Sequence, residues 1–267
     1  MPQEKLDKEE VRQYARDLGA ALVGFAPVER WAEFGDLPEA FFPQQLWPLT
    51  KTVIVLAIPS LLPTVETKIS HLYRAQYNYT NQLLDEAAYR LAAFLNRHGQ
   101  AAIPFCRDGY GVGVLQEKPL AAFSHVWAGQ YAGLGRIGWN HTLLTPEYGP
   151  RHRLVSVLTA LEVPGDPLLE KELCTNCRLC EKICSTQAFS GSPQEVKYAE
   201  MDKISCAKRR QRFRGPFSHC GFCIKVCPIG EDRALYGSRT VKQYFTEAQD
   251  FSQWQSGIGA GITGWEE

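Results

Sequence analysis

The chain has 267 residues, with 29 basic side chains against 29 acidic ones, so its formal charge is zero. That balance excludes the net basic field of a general nucleic-acid binder, while leaving room for a local patch. The first ten residues lack the apolar core of a signal peptide, and the longest apolar stretch, 52–63, is too short to span a bilayer. A soluble, cytoplasmic protein with no membrane partner is expected.

In chain order, Leu6, Val11, Tyr14, Ala15 and Leu18 recur at helical spacing and predict a helix over 5–18, stopped by Gly19. Residues 20–27 and 51–59 are short, β-branched apolar runs closed by proline, as in buried strands. Between them Trp31, Phe34, Phe41, Phe42 and Trp47 stand among prolines and predict an irregular packed connection. A long helix over 69–98 ends at Gly99, and 101–106 reads as a short strand whose Cys106 is inert core. A glycine-rich loop over 108–113 leads to a helix over about 120–131. Next come Gly133-Leu-Gly135-Arg-Ile-Gly138 and strands over 141–145 and 153–160. The pattern predicts an α/β (α+β) domain over 1–168, a ferredoxin-like module over 169–232 and a tail over 233–267.

The glycine segment formally matches a dinucleotide-binding fingerprint, which needs a strand before it, a helix after it and an acid further on. Here a helix precedes, a strand follows, and 153–158 holds no acid, so a nicotinamide site is not expected. Glycines so spaced still mean that the backbone turns tightly or approaches something closely, either a flat cofactor or a neighbouring strand.

Eight of the nine cysteines lie between Cys174 and Cys227. The first run is Cys174-Thr-Asn-Cys177-Arg-Leu-Cys180-Glu-Lys-Ile-Cys184; after Cys206 the second is Cys220-Gly-Phe-Cys223-Ile-Lys-Val-Cys227-Pro228. Two residues between successive thiolates let one loop grip three irons of a cubane, and the fourth cysteine of each run crosses to the other cluster. Cys174, Cys177, Cys180 and Cys227 are thus assigned to one [4Fe–4S] cluster, and Cys184, Cys206, Cys220 and Cys223 to the other. Zinc sites usually use two separated pairs, and disulfide frameworks suit small secreted domains; neither fits this repeated triplet as well. The first run ends Cys184-Ser185 where a proline is usual, which shapes the chain without removing a ligand.

Three segments taken together resemble the epoxyqueuosine-reductase-like family, which is related to the reductive dehalogenases. They are Phe123-Ser-His125, Ala132-Gly-Leu-Gly-Arg-Ile-Gly-Trp-Asn140 and Leu143-Leu-Thr-Pro-Glu-Tyr-Gly-Pro-Arg151. The order of elements is similar too, over roughly residues 8–230. The resemblance implies a cobalamin-dependent reductase in which a corrinoid lies in the α/β domain and the clusters deliver electrons to it. It implies that Gly133, Gly135, Gly138 and Asn140 line the corrinoid, that Ser124 and His125 lie near its side chains, and that Tyr148 and Arg151 close the site. The ordinary alternatives are turn glycines, a satisfied histidine and a structural Tyr–Arg contact.

The chain departs from that family in two places. Epoxyqueuosine reductases carry an aspartate proton donor shortly before the glycine segment, whereas here the nearest candidate, Asp108, lies far upstream. Tyr110 is its rival as donor, and Asp108 also suits a turn beside glycine. The chain also ends without the helical-repeat extension of the transfer-RNA-modifying enzymes, so transfer RNA is not expected as a substrate. The basic run over 208–214 reads as a solvated loop or a docking site for an electron donor. The expected partners are a low-potential donor of ferredoxin or flavodoxin type and a small-molecule substrate. The alternatives are an electron carrier or a corrinoid reductase that serves another enzyme.

Overall fold

The structure, a computed structural model, describes residues 6–35, 37, 41–66, 71–105, 107, 121–212, 220–235 and 244–245. Asp108, Tyr110 and Cys106 lie outside the described residues. Helix α1 (Lys8–Asp17) starts where Asp7 accepts a hydrogen bond from Glu9 N at 3.1 Å, and it buries Val11 and Ala15, one turn apart. Strand β1 (Leu22–Pro27), helices α2 (Glu29–Phe34) and α3 (Pro43–Leu46) and strand β2 (Thr52–Pro59) follow. Helix α4 (Leu62–Glu66) leads to the long helix α5 (His71–Arg97), then β3 (Ala102–Phe105), helix α6 (His125–Tyr131) and the two-residue strands β4 (Arg136–Ile137) and β5 (Leu143–Leu144). Strand β6 (His152–Thr159) completes a four-stranded sheet of order β1-β2-β6-β3, in which every pair is antiparallel.

The continuous apolar runs have a clear cause: both faces of the sheet are covered. On one face Leu84, Leu91 and Leu95 of α5 pack with Phe25, Ile54, Leu56, Val155 and Val157. On the other, Trp31, Phe123 and Tyr131 pack with Val53, Val55, Leu154 and Leu158. Alternation along β2 therefore sends each apolar side chain into one core or the other, and residues 53–57 are all wholly buried. Each such Val, Leu or Ile contributes about 1.5–3 kcal/mol of burial free energy. Antiparallel sheets usually leave one face to water, so apolar runs alone do not reveal strand direction.

The later elements bring the cysteines against this sandwich. Residues 160–178 run without regular secondary structure and are pinned at Asp166, which accepts from Phe25 N at 2.9 Å and from Arg12 Nη2 at 2.7 Å. Beyond it lie α7 (Leu179–Lys182), the short ladder β7 (Phe189–Ser190) with β8 (Glu200–Met201), and α8 (Lys203–Arg212). Helices α9 (Phe222–Lys225) and α10 (Asp232–Leu235) complete the described regular elements. Among the described residues no helix is long and apolar enough to cross a membrane.

The connection expected to be irregular before β2 carries the helices α2 and α3, and two further elements differ from their sequence expectation for a clear local reason. The helix expected over 120–131 starts only at His125, because Ser124 caps it by accepting from Trp127 N at 3.3 Å. The strand expected over 141–145 shrinks to Leu143–Leu144 because His141 takes a left-handed turn, φ +59°.

Candidate functional site

Both cysteine loops are shaped by the same backbone device. Arg178, at φ +56°, precedes the single turn α7, and Gly221, at φ +59°, precedes α9. A left-handed residue reverses the chain after the first thiols, so the following turn carries the next cysteine back toward them. At Gly221 the left-handed backbone is paired with crowding: a Cβ there would lie 2.9 Å from Tyr73 Cζ and closer still to its hydroxyl.

Cys174, Cys177, Cys180 and Cys227 line one cavity with about 350 Å³ of empty space, its mouth included. Burial pushes the Cys180 thiol up to about 12, with Cys227, Cys177 and Cys174 adding to the effect. Burial also pushes Cys227 up to about 11, opposed by the Ile229 amide and by the charge of Arg151. Cys223 is raised mainly by burial, then by Cys220, Cys206, Cys180 and Cys184. Cys174, Cys177, Cys180 and Cys227 thus share one cavity, and Cys223 stands near Cys220, Cys206, Cys180 and Cys184. All eight are free thiols. Among the described residues no three His, Cys, Asp or Glu side chains are placed to hold a single metal ion. A donor set of four thiols ringing a cavity fits a cubane cluster, and loading it requires the thiols, the raised Cys180 and Cys227 among them, to give up their protons.

Trp139 supplies the apolar packing between the groups. With Phe189 and Ala199 it forms a cluster against which Cys174 and Cys180 pack from one group and Cys184 and Cys223 from the other. Its indole donates to Glu181 Oε2 at 2.9 Å, and the Arg178 guanidinium lies 5.8 Å from the ring centre. Asn140 donates from Nδ2 to Cys223 O at 3.1 Å, while its Oδ1 accepts from the Thr142 hydroxyl at 2.7 Å. Sequence reasoning passed over Trp139 although it stands beside Gly138, and the presence of the largest apolar side chain within a glycine segment is the signal that marks it.

The residues tied by resemblance to a corrinoid have protein partners. A Cβ on Gly133 would run into Pro167 O, one on Gly135 into Leu144 O, and one on Gly138 would come 2.7 Å from Leu144 Cδ1. The space these glycines leave is filled by the chain itself, so on that side they supply no cradle for a flat cofactor. Ser124 caps α6, and His125 Nδ1 lies 2.9 Å from Ser156 Oγ. Tyr148 is half-buried, and burial, Glu147 and Asp232 push its phenol up. Arg151 is wholly buried: its guanidinium donates to Asp232 at 2.6 and 2.8 Å, to Cys227 O at 3.0 Å and to Ile229 O at 2.6 Å. The structure thus brings Asn140 and Arg151 to the cysteine groups.

No protein-family model matches the chain. A tetrachloroethene reductive dehalogenase of Desulfitobacterium hafniense is 29% identical over 273 residues, covering 81% of this chain and 47% of that protein. An epoxyqueuosine reductase of Synechococcus sp. (strain RCC307) is 25% identical over 253 residues, covering 84% of this chain and 75% of that protein. The solved catabolic reductive dehalogenase NpRdhA superposes with a TM-score of 0.66 and 23% identity, over 95% of this chain and 37% of its own. For epoxyqueuosine reductase from Streptococcus thermophilus the TM-score is 0.52 with 19% identity, over 83% of this chain and 65% of its own. At these identities the structural likeness speaks for the fold alone. The chain spans about half the length of the reductive dehalogenases it matches. Its homologues are epoxyqueuosine reductases and reductive dehalogenases, both of them reductases, and it shares a mixed α/β fold with both.

Proposed function

We propose that the chain is an iron–sulfur reductase that takes single electrons from an external low-potential donor and passes them through two [4Fe–4S] clusters. The observation that carries this reading is the cavity that Cys174, Cys177, Cys180 and Cys227 share, with Cys223 near Cys180 and near Cys184, Cys206 and Cys220. Clusters bound there supply one-electron storage at potentials that span about −700 to +450 mV between proteins. The chain's own residues hold and shield them. Cys174, Cys177, Cys180 and Cys227 hold one, and Cys184, Cys206, Cys220 and Cys223 the other. Trp139 keeps water from the space between them, and Asn140 fixes the backbone of Cys223 to the glycine hairpin.

Support for corrinoid chemistry comes from the relatives. One solved reductive dehalogenase, with a TM-score of 0.64, has suggested a mechanism for B12-dependent dehalogenation. The proposed substrate is therefore a small organic molecule reduced at a carbon–oxygen or carbon–halogen bond, with Asp108 and Tyr110 as candidate proton donors.

The test starts with anaerobic reconstitution of the full chain and an iron count. About eight irons per chain are expected, falling to about four in Cys227→Ala, with turnover lost while the α/β core stays folded. A Cys227→Ala protein that keeps all its iron and full turnover would sink the assignment. Titration with cob(II)alamin, followed by electron paramagnetic resonance, then separates the two readings. A stoichiometric complex supports the corrinoid reductase, and absence of binding with both clusters intact leaves an electron carrier.

A further inference from the structure

Cys227 is the last cysteine of the chain, and its carbonyl oxygen is held by two arginines from different parts of the fold. Arg151, at the entrance to β6, donates to it at 3.0 Å from Nη1, and Arg233 of α10 donates to it at 2.8 Å from Nε. Arg151 also bonds Ile229 O at 2.6 Å, and Arg233 bonds Lys225 O. Both side chains are buried, at 0% and 2% exposure. A guanidinium does not shed its charge on burial, so two permanent positive charges stand inside the protein beside one cysteine.

Each charge is balanced from behind. Asp232 accepts from Arg151 at 2.6 and 2.8 Å, and Glu66 of α4 lies 3.3 Å from Arg233 Nη1. In both cases the guanidinium touches the cysteine backbone directly, while the carboxylate bonds the guanidinium. Simple fastening does not require this, because apolar packing of the same volume holds two segments together at no desolvation cost. At Cys184 and Cys223 of the second group the contacts are neutral: the Asn140 amide on Cys223 O, and the Thr186 hydroxyl and Ala188 amide, each 3.4 Å from Cys184 Sγ. In a low-dielectric interior, a cation near a cluster ligand favours the more negative, reduced state.

We propose that Arg151 and Arg233 are positioning residues that raise the reduction potential of the centre held by Cys174, Cys177, Cys180 and Cys227 above that of its neighbour. An added electron then settles first on this centre. The inference rests on reading the two thiol groups as cluster ligands, and its test keeps the two apart.

The full chain is reconstituted anaerobically, its iron and sulfide are counted, and it is titrated with dithionite, one electron per cluster, under electron paramagnetic resonance. Wild type should reduce in two separated steps. In Arg151→Met or Arg233→Met the earlier step should move to lower potential by about 59 mV, a tenfold change in the reduced-to-oxidised ratio for one electron. The later step should stay in place, and Arg233→Lys should recover much of the shift. Glu66→Gln leaves Arg233 in place without its carboxylate and should move the earlier step the other way, to higher potential. Opposite signs from the two sides of one ion pair are what a purely structural role would not produce. Where an arginine variant loses iron, Glu66→Gln alone decides. Full iron with unmoved potentials, or a downward shift in Glu66→Gln, overturns the inference; a wild-type count well below eight overturns the cluster reading instead.

Discussion

His152 sits at the head of β6 with Nε2 3.0 Å from Leu143 O, and burial pushes its pKa down to about 4. Its ordinary value is 6.5, so between pH 6.5 and 4 the unfolded chain takes up a proton that the folded chain refuses. Stability is whole above pH 6.5 and falls as the pH drops through that window. At pH 5 the loss relative to pH 7 is about 2 kcal/mol, and His152→Gln should lack it. Urea midpoints of both proteins at the two pH values would check this, and parallel curves would refute it. Gly221 offers a second test at this scale. Gly221→Ala meets both a left-handed backbone, costing about 1–2 kcal/mol, and the Tyr73 ring. It should deplete iron from the second group only, with partial rescue by Tyr73→Phe; a full iron count in Gly221→Ala alone would count against it. Spacing made the cysteines legible in the sequence because the ligands of a cluster are set by short loops. Tyr73 stayed invisible, since its meeting with Gly221 depends on how α5 lies across the cysteine loop.

Secondary elements were largely legible, because a short apolar run such as that of β2 or a 27-residue amphipathic stretch declares itself locally. Strand direction was not, since burial on both faces gives the same apolar run to parallel and antiparallel strands. Nor was the role of 160–178, a stretch with no periodicity that works through a single side chain. Burial alone would raise the pKa of Asp166, but bonds from Arg12 and Lys8 outweigh it and hold the carboxylate below its usual 3.8. Its contribution is therefore present above pH 3.8 and lost as the pH falls through the depressed value. Asp166→Asn should cost about 1–2 kcal/mol at neutral pH, with the gap to wild type closing in acid. A urea midpoint unchanged at pH 7 would show that the strap is held by its other contacts. The glycine segment lay between these cases. Close approach was legible in Gly133, Gly135 and Gly138, whereas the approaching partners, Pro167 and Leu144, emerged only with the fold.

Across the whole molecule, the α/β sandwich and the cysteine groups meet along one seam. Glu231 N donates to Pro146 O and Asp232 N to Glu147 O, both at 2.9 Å, and Arg151 reaches across to Cys227. Sequence patterns divide the chain into a domain, a module and a tail but carry no sign of this seam, whose two sides are far apart in the chain. That separation has a consequence for biogenesis. β2 and β6 pair across about a hundred residues, and such distant pairings form late and slowly during folding. Arg151 stands immediately before β6, so the seat of Cys227 does not exist until the sheet has closed. A newly made chain thus presents three thiols of the first group well before the fourth is in place. On the proposed cluster assignment, iron delivered in that interval would meet an incomplete site, and maturation would have to run sheet first, clusters last.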